Sequence, residues 1–243
     1  MANLTRLRML EDLDGFLLVD KPAGIAFTSV VKAVKRKFNL VKVGHGGSLD
    51  AAATGLLVLM VNDANRFVGD VMGADRSYEG VMRLGTSTNT HDVQGAPVEG
   101  PGRLSASDVT PGLVSKVLPE FTGDIFQTES RYCSVRREGS AAYEIADTGD
   151  HRPFMAHVYR LDVAPAGDPG KLRFSVSCTK GLIVRTLVND FGDALGCGAC
   201  LESLRRTRSG RFSVDDAIPF DKLLDTGIDG FASLVLPISR AMT

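Results

Sequence analysis

Residues 55–61 read Gly-Leu-Leu-Val-Leu-Met-Val, and this unbroken apolar run is the strongest single restriction on how the chain can fold. A helix needs about 20 such residues to cross a bilayer, so the run is far too short to be a membrane span. Entered through a glycine and left through Asn62 and Asp63, it reads as a buried strand that needs a packed core around it. The chain can supply that core. It has 243 residues, 44% of them hydrophobic and 23% charged, which is enough for one large domain.

Immediately before the run stands Lys-Val-Gly-His-Gly-Gly-Ser-Leu-Asp-Ala-Ala-Ala-Thr, residues 42–54, with a single carboxylate, Asp50. A metal site would need more oxygen, nitrogen or sulfur ligands close by. A turn-forming or helix-capping Asp fits the composition. So does an acid placed for one chemical task between a glycine loop and an apolar strand.

The formal net charge is −1, which by itself argues against nucleic acid. The charge is unevenly spread, however. Residues 28–66 carry six basic against two acidic side chains, residues 180–211 six against three, and residues 213–230 one against five. The first two segments are candidate phosphate-binding faces, or simply solvated helix faces. Cys133, Cys178, Cys197 and Cys200 read as reduced thiols. Cys197 and Cys200 form a CxxC, half of a zinc site with no second pair at suitable spacing, so packing is the expected role. The N-terminus lacks the apolar segment of a secretory signal, and the expected location is the cytoplasm.

Periodicity places strands at "GFLLVDK", "LVKVGH", "GLLVLMV" and "RSYEGVMRLG", and a hairpin pair at "HVYRLDVAPA" and "KLRFSVSCTKG". "TSVVKAVKRKF" predicts an amphipathic helix capped by Thr28 or Ser29, with Val30, Val31 and Val34 inward and Lys32, Lys35 and Arg36 outward. Short helices are expected near "ANRFVGDVMG" and near Pro111. "LIVRTLVNDFGDAL" predicts a helix stopped by Gly196. Strands and helices mix without βαβ alternation, which points to an α+β fold with a largely antiparallel sheet.

Four stretches in the same order resemble the TruB family of tRNA pseudouridine synthases. They are "GFLLVDKPAG" with "KVGHGGSLDAAATGLLVL"; "RSYEGVMRLGTSTNTHDVQG"; "FQTESRYCSVRREGSAAYEIADTG"; and "VSCTKGLIVRTLVNDFGDALGCGACLESLRRTRSGRF". The likeness runs from about Gly15 to the end of the chain. It implies a pseudouridine synthase fold and a single catalytic domain over residues 1–243, with an RNA-gripping insertion at about 121–152. Longer bacterial relatives continue into a C-terminal PUA domain, and none is expected here. The implied reaction converts uridine 55 of the tRNA T-loop to pseudouridine on a flipped-out base, without a cofactor or a metal. The implied partner is the T-arm of tRNA, bound by a monomer with no membrane association.

By the same resemblance Asp50 is the nucleophile, Arg185 pairs with it and orients it, and Tyr78 lies against the target base. His45 fills the space left by the extruded base, Ile183 and Leu204 contact substrate, and Lys21 sits in the supporting Lys-Pro turn. Several positions depart from the family pattern: Ala51 replaces a Pro, the loop reads Gly-His-Gly-Gly, and Ile183 replaces a Tyr. In the insertion, Glu129-Ser130 replaces Pro-Pro and Arg136 a Lys. The competing reading is a catalytically weak RNA-binding or tRNA-folding protein on the same scaffold. A nucleotide-binding enzyme is disfavoured, because the glycine loop matches neither phosphate-loop pattern.

Overall fold

The structure, a computed structural model, describes residues 13–128 and 153–241. Most of the expected insertion lies outside the described residues, including Glu129, Ser130, Arg131, Tyr132, Cys133, Arg136 and Arg137. The chain forms two compact units, one made of residues 1–75 with 205–243 and one of residues 76–204.

In the first unit the apolar run is a strand, Thr54–Val61, in which every residue from Gly55 onward is buried. It pairs antiparallel with Gly15–Lys21 along its whole length. The short strand Ile218–Pro219 adds in parallel to the far side of Gly15–Lys21. The other edge of Thr54–Val61 is shared. Arg205 and Arg206 pair in parallel with Thr54 and Gly55, and Val43–His45 pairs antiparallel with Leu59–Val61. Between these two partners the chain from Gly46 to Ala53 leaves the sheet, so the loop carrying Asp50 emerges from a gap in one strand's edge. Gly55, at φ +99°, admits no side chain, because a Cβ would strike the backbone of Arg206.

Alternate residues of the central strands serve two cores, as the strand period requires. Leu17, Val19, Leu57 and Leu59 pack with Val30, Val34 and Phe38 of the helix Phe27–Lys37 and with Phe220, Leu223 and Phe231. Phe16, Leu18, Leu56, Val58 and Met60 pack with Val71 and Phe212 on the opposite face. The helix differs from expectation at its start. Its N-cap is Ala26, with no side-chain cap, and Thr28 and Ser29 lie inside the first turn. Phe27 accounts for the earlier start: as the first helical residue it sets its ring against His45, centroids 4.8 Å apart.

In the second unit four strands run antiparallel, in the order Arg76–Leu84, Lys171–Cys178, Phe154–Pro165 and Gly123–Gln127. A hairpin of Ser87–Thr88 and Pro97–Val98 follows the first of them. Their inward residues join the helix Val184–Leu195 in one large cluster that includes Met82, Val158, Phe174, Leu187 and Phe191. That helix ends at Gly196, φ +82°, as the sequence predicts. The helix Pro111–Val117 has Thr110 as N-cap, accepting from the Leu113 amide, and Pro111 at its first position. Among the described residues no helix is long and apolar enough to cross a membrane.

Candidate active site

Of the seven residues implicated by sequence, Lys21, His45 and Asp50 lie in the first unit; Tyr78, Ile183, Arg185 and Leu204 lie in the second.

The Asp50 loop is short and partly buried, so its backbone carbonyls need donors. Two buried cations supply them. Lys21, completely buried at the end of its strand, donates from Nζ to the carbonyls of Pro22 (2.8 Å), Ile25 (2.8 Å) and Ala51 (3.1 Å). An ammonium has three protons, and all three are engaged. Arg206, 2% exposed, donates from Nε to the Leu56 carbonyl at 2.7 Å and from Nη1 to the Ser48 carbonyl at 2.9 Å. The backbone closes the loop further. Gly24 donates to the Ala51 carbonyl at 2.8 Å, Ala53 to that of Asp50 at 3.1 Å, and Gly46 to that of Val58 at 2.8 Å. Asp50 is thus half-buried between Leu49 and Ala53, which are both buried, in a loop clamped on either side of it. Burial lowers the Lys21 ammonium to about 8; the Asp50 charge opposes that shift and Arg206 adds to it. His45 is fixed by Phe27 and by the Gly47 amide, which reaches its Nδ1 at 3.4 Å.

In the second unit Arg185 occupies the first turn of the helix Val184–Leu195 and is 7% exposed. Its Nη1 donates to the Thr90 carbonyl at 2.9 Å and lies 4.0 Å from Oδ2 of Asp92. Asp92 is itself held, since its Oδ1 accepts from Thr90 Oγ1 (2.7 Å) and from the Gln94 amide (3.0 Å). The loop is stitched to the strand Ala199–Ser209: Leu201 donates to the His91 carbonyl, and Val93 donates to that of Leu201. His91 sits at φ +62°, and burial and the Arg185 charge push its imidazole below its ordinary value.

The start of the helix is gripped by Gln127, 1% exposed at the end of its strand. Its side-chain amide donates to the Ile183 carbonyl at 3.1 Å and accepts from the Ile183 amide at 2.9 Å. Ile183, the N-cap residue, is thereby held two positions before Arg185. Tyr78 and Leu204, both partly buried, pack against the large cluster.

Three of these contributors are not among the sequence-derived site residues. Gln127 had a signal: it falls at an inward position of an alternating strand, where Ile125 is buried and Phe126 exposed. Asp92 lies within the stretch "RSYEGVMRLGTSTNTHDVQG" that carries part of the family likeness. Arg206 had none, because Arg205 and Arg206 read alike. The structure takes three arginines out of the candidate phosphate-binding face at residues 180–211 and leaves Arg208 exposed. Arg205 is paired bidentately with Asp20 (3.0 and 2.7 Å), Arg206 is buried on carbonyls, and Arg211 donates to the Ala241 carbonyl. Cys197 and Cys200 are buried free thiols, pushed up by burial, in keeping with packing. Among the described residues no His, Cys, Asp and Glu cluster could hold a metal.

Comparison with known proteins identifies the family. Residues 35–184 match the TruB family pseudouridylate synthase N-terminal domain, and residues 185–243 match the tRNA pseudouridylate synthase B C-terminal domain. The tRNA pseudouridine synthase B of Stutzerimonas stutzeri is 35% identical over 250 residues, covering 100% of this chain and 79% of that protein. The enzyme of the same name from Gluconacetobacter diazotrophicus is 38% identical, covering 95% and 76%. Among solved structures, a chain of a Cbf5–Nop10–Gar1 complex superposes with a TM-score of 0.73 at 26% identity. That match covers 97% of this chain and 63% of the other. An H/ACA RNP bound to a substrate RNA gives a TM-score of 0.71 at 26% identity, covering 97% and 62%. The chain belongs to the TruB family of pseudouridylate synthases.

Proposed function

We propose that this chain converts uridine 55 in the T-arm of tRNA to pseudouridine, with Asp50 as the nucleophile. The observation that carries the reading is the clamped loop. A single half-buried carboxylate stands in a segment whose flanking carbonyls are tied down by Lys21 and Arg206. That arrangement costs two buried cations, and its product is a rigidly presented acid.

The reaction breaks the N1–C1′ bond of uridine and forms a C5–C1′ bond in its place. The proton leaving C5 is balanced by one gained at N1, so no oxidant, reductant or group donor is required. A carboxylate suits the work because it can form a transient ester-like bond to the nucleotide and release it. In this reading Arg185 pairs with Asp50, Tyr78 lies against the base, and His45 occupies the space of the extruded nucleotide. Ile183 and Leu204 supply apolar contacts, and Lys21 supports the loop from behind. The helix bearing Arg185 is pinned by Gln127, so its guanidinium starts from a fixed point.

The test is turnover on an unmodified tRNA transcript, with pseudouridine mapped by carbodiimide-blocked primer extension. Native protein is expected to modify position 55 and to leave a transcript with cytidine there unmodified. Asp50→Asn is expected to lose at least about a thousandfold in rate. It should keep or improve its affinity, since the lost charge only repelled phosphates. Turnover by the Asn variant, with deamidation excluded, sinks the assignment of the nucleophile. Binding by native protein without any pseudouridine favours the RNA-folding reading instead.

A further inference from the structure

The helix Phe27–Lys37 divides its residues cleanly. Val30 and Val34 face the core, while Lys32, Lys35, Arg36 and Lys37 are exposed. Lys32, Lys35 and Arg36 stand at i, i+3 and i+4 and so form one ridge along the outer surface. The chain then turns through Asn39 to Lys42, which is exposed and lines an open cavity of about 590 Å³ with Val41, Asn62, Asn65 and Arg66. Arg66, the sixth cation, is exposed and sits 5.0 Å from the ring centre of Phe67. The asparagines are committed to backbone: Asn62 accepts from the Lys42 amide, and Asn65 donates to the carbonyls of Met60 and Asn62. Asp14 and Asp63 also line the cavity, with Asp14 Oδ1 accepting from the Asp63 amide.

Three of these cations, Lys35, Arg36 and Lys37, lie in the last helical turn, where they complement the helix dipole. That role accounts for neither Lys32, Lys42 nor Arg66. In the same unit Lys21, Arg205 and Arg206 are consumed by carbonyls and by Asp20. Among the described residues none of the six outer cations enters a salt bridge. Successive helical turns place such charges about 5.4 Å apart, close enough to meet neighbouring phosphates of one RNA strand.

We infer that this ridge, from Lys32 through Lys42 to Arg66, is a phosphate-binding track for the substrate RNA, used for affinity and apart from the chemistry at Asp50. The inference rests on the RNA-modifying reading above. It is tested by binding alone, so its failure is distinguishable from failure of that reading. Two variants are compared with native protein by filter binding to tRNA between 50 and 200 mM salt. One is Lys32→Gln/Lys35→Gln/Arg36→Gln, in which glutamine keeps helix propensity; the other, off the helix, is Lys42→Gln/Arg66→Gln. Each is expected to weaken binding at least tenfold at low salt. Each should also flatten the slope of log affinity against log salt by about 0.7–0.9 per cation removed. Lys222→Gln, an exposed cation outside the ridge, is the control and should change neither. Unaltered affinity and slope in both variants, with native circular dichroism, overturn the proposal. So does an equal loss in the control.

Discussion

The Asp50 loop of the first unit and the Arg185 turn of the second are held by opposite chemistry. Around Asp50 the anchors are cations, Lys21 and Arg206, each donating to several carbonyls of the loop or its flanks. Around Arg185 the group being held is itself the cation, and its surroundings are acceptors and a neutral amide: the Thr90 carbonyl, the Asp92 carboxylate and the Gln127 clamp. A buried cation with three carbonyl partners cannot be replaced without leaving those partners unsatisfied. A neutral amide pairing one residue's N–H and C=O can be lost at smaller cost. The first unit should therefore lose stability when an anchor is removed, whereas the second should chiefly lose precision.

The largest effect is expected where the held group is the one changed. Arg185→Lys keeps the charge but not the planar fork, and should lower kcat about a hundredfold with little change in RNA affinity. Single-turnover kinetics beside a binding isotherm would show it. A fully active Lys variant would reduce Arg185 to a structural cation and dissolve the contrast. Lys21→Met should be next, costing about 2–3 kcal/mol in denaturant unfolding as its carbonyls lose their donors. An unchanged midpoint would show that the loop stands without its cation.

Gln127→Met conserves volume and removes both hydrogen bonds to Ile183. About a tenfold fall in kcat is expected, with RNA affinity retained. Loss of thermal stability with native turnover would make Gln127 a packing residue only. The smallest effect is a linkage. Lys21 titrates near 8 in the folded protein, against its ordinary value of 10.5. Between those values the unfolded chain binds more protons, so this group adds stability as pH rises from 8 to 10.5 and takes it away as pH falls. The melting temperature of native protein should gain on that of Lys21→Met over this interval. A constant difference would mean the ammonium is not desolvated as its burial implies.

Much of the scaffold was legible from local pattern. Alternation and apolar runs located the strands, Gly196 stopped its helix through a left-handed conformation, and Pro111 marked a first turn. The isolation of Asp50 was visible because a loop with one acid is a property of neighbouring residues. The helix start was misplaced because capping propensity favoured Thr28 or Ser29, while the contact of Phe27 with His45 is tertiary. The basic segment at 180–211 could not be sorted for a related reason: counting charges says nothing about which are already paired.

By itself, then, the sequence determined the strands and helices, the family, and the lone carboxylate between a glycine loop and a buried strand. The elements rest on backbone preferences and side-chain period, which act over a few residues, and the family on the likeness of four motifs in the same order. Only the tertiary structure decided what each polar group is for. Lys21 meets Ala51 across 30 positions, Gln127 meets Ile183 across 56, Arg206 meets Leu56 across 150 and Arg205 meets Asp20 across 185. A buried donor takes whichever acceptor the folded chain brings to it. No local pattern could therefore separate the arginine that holds the Asp50 loop from the one beside it that pairs with an acid.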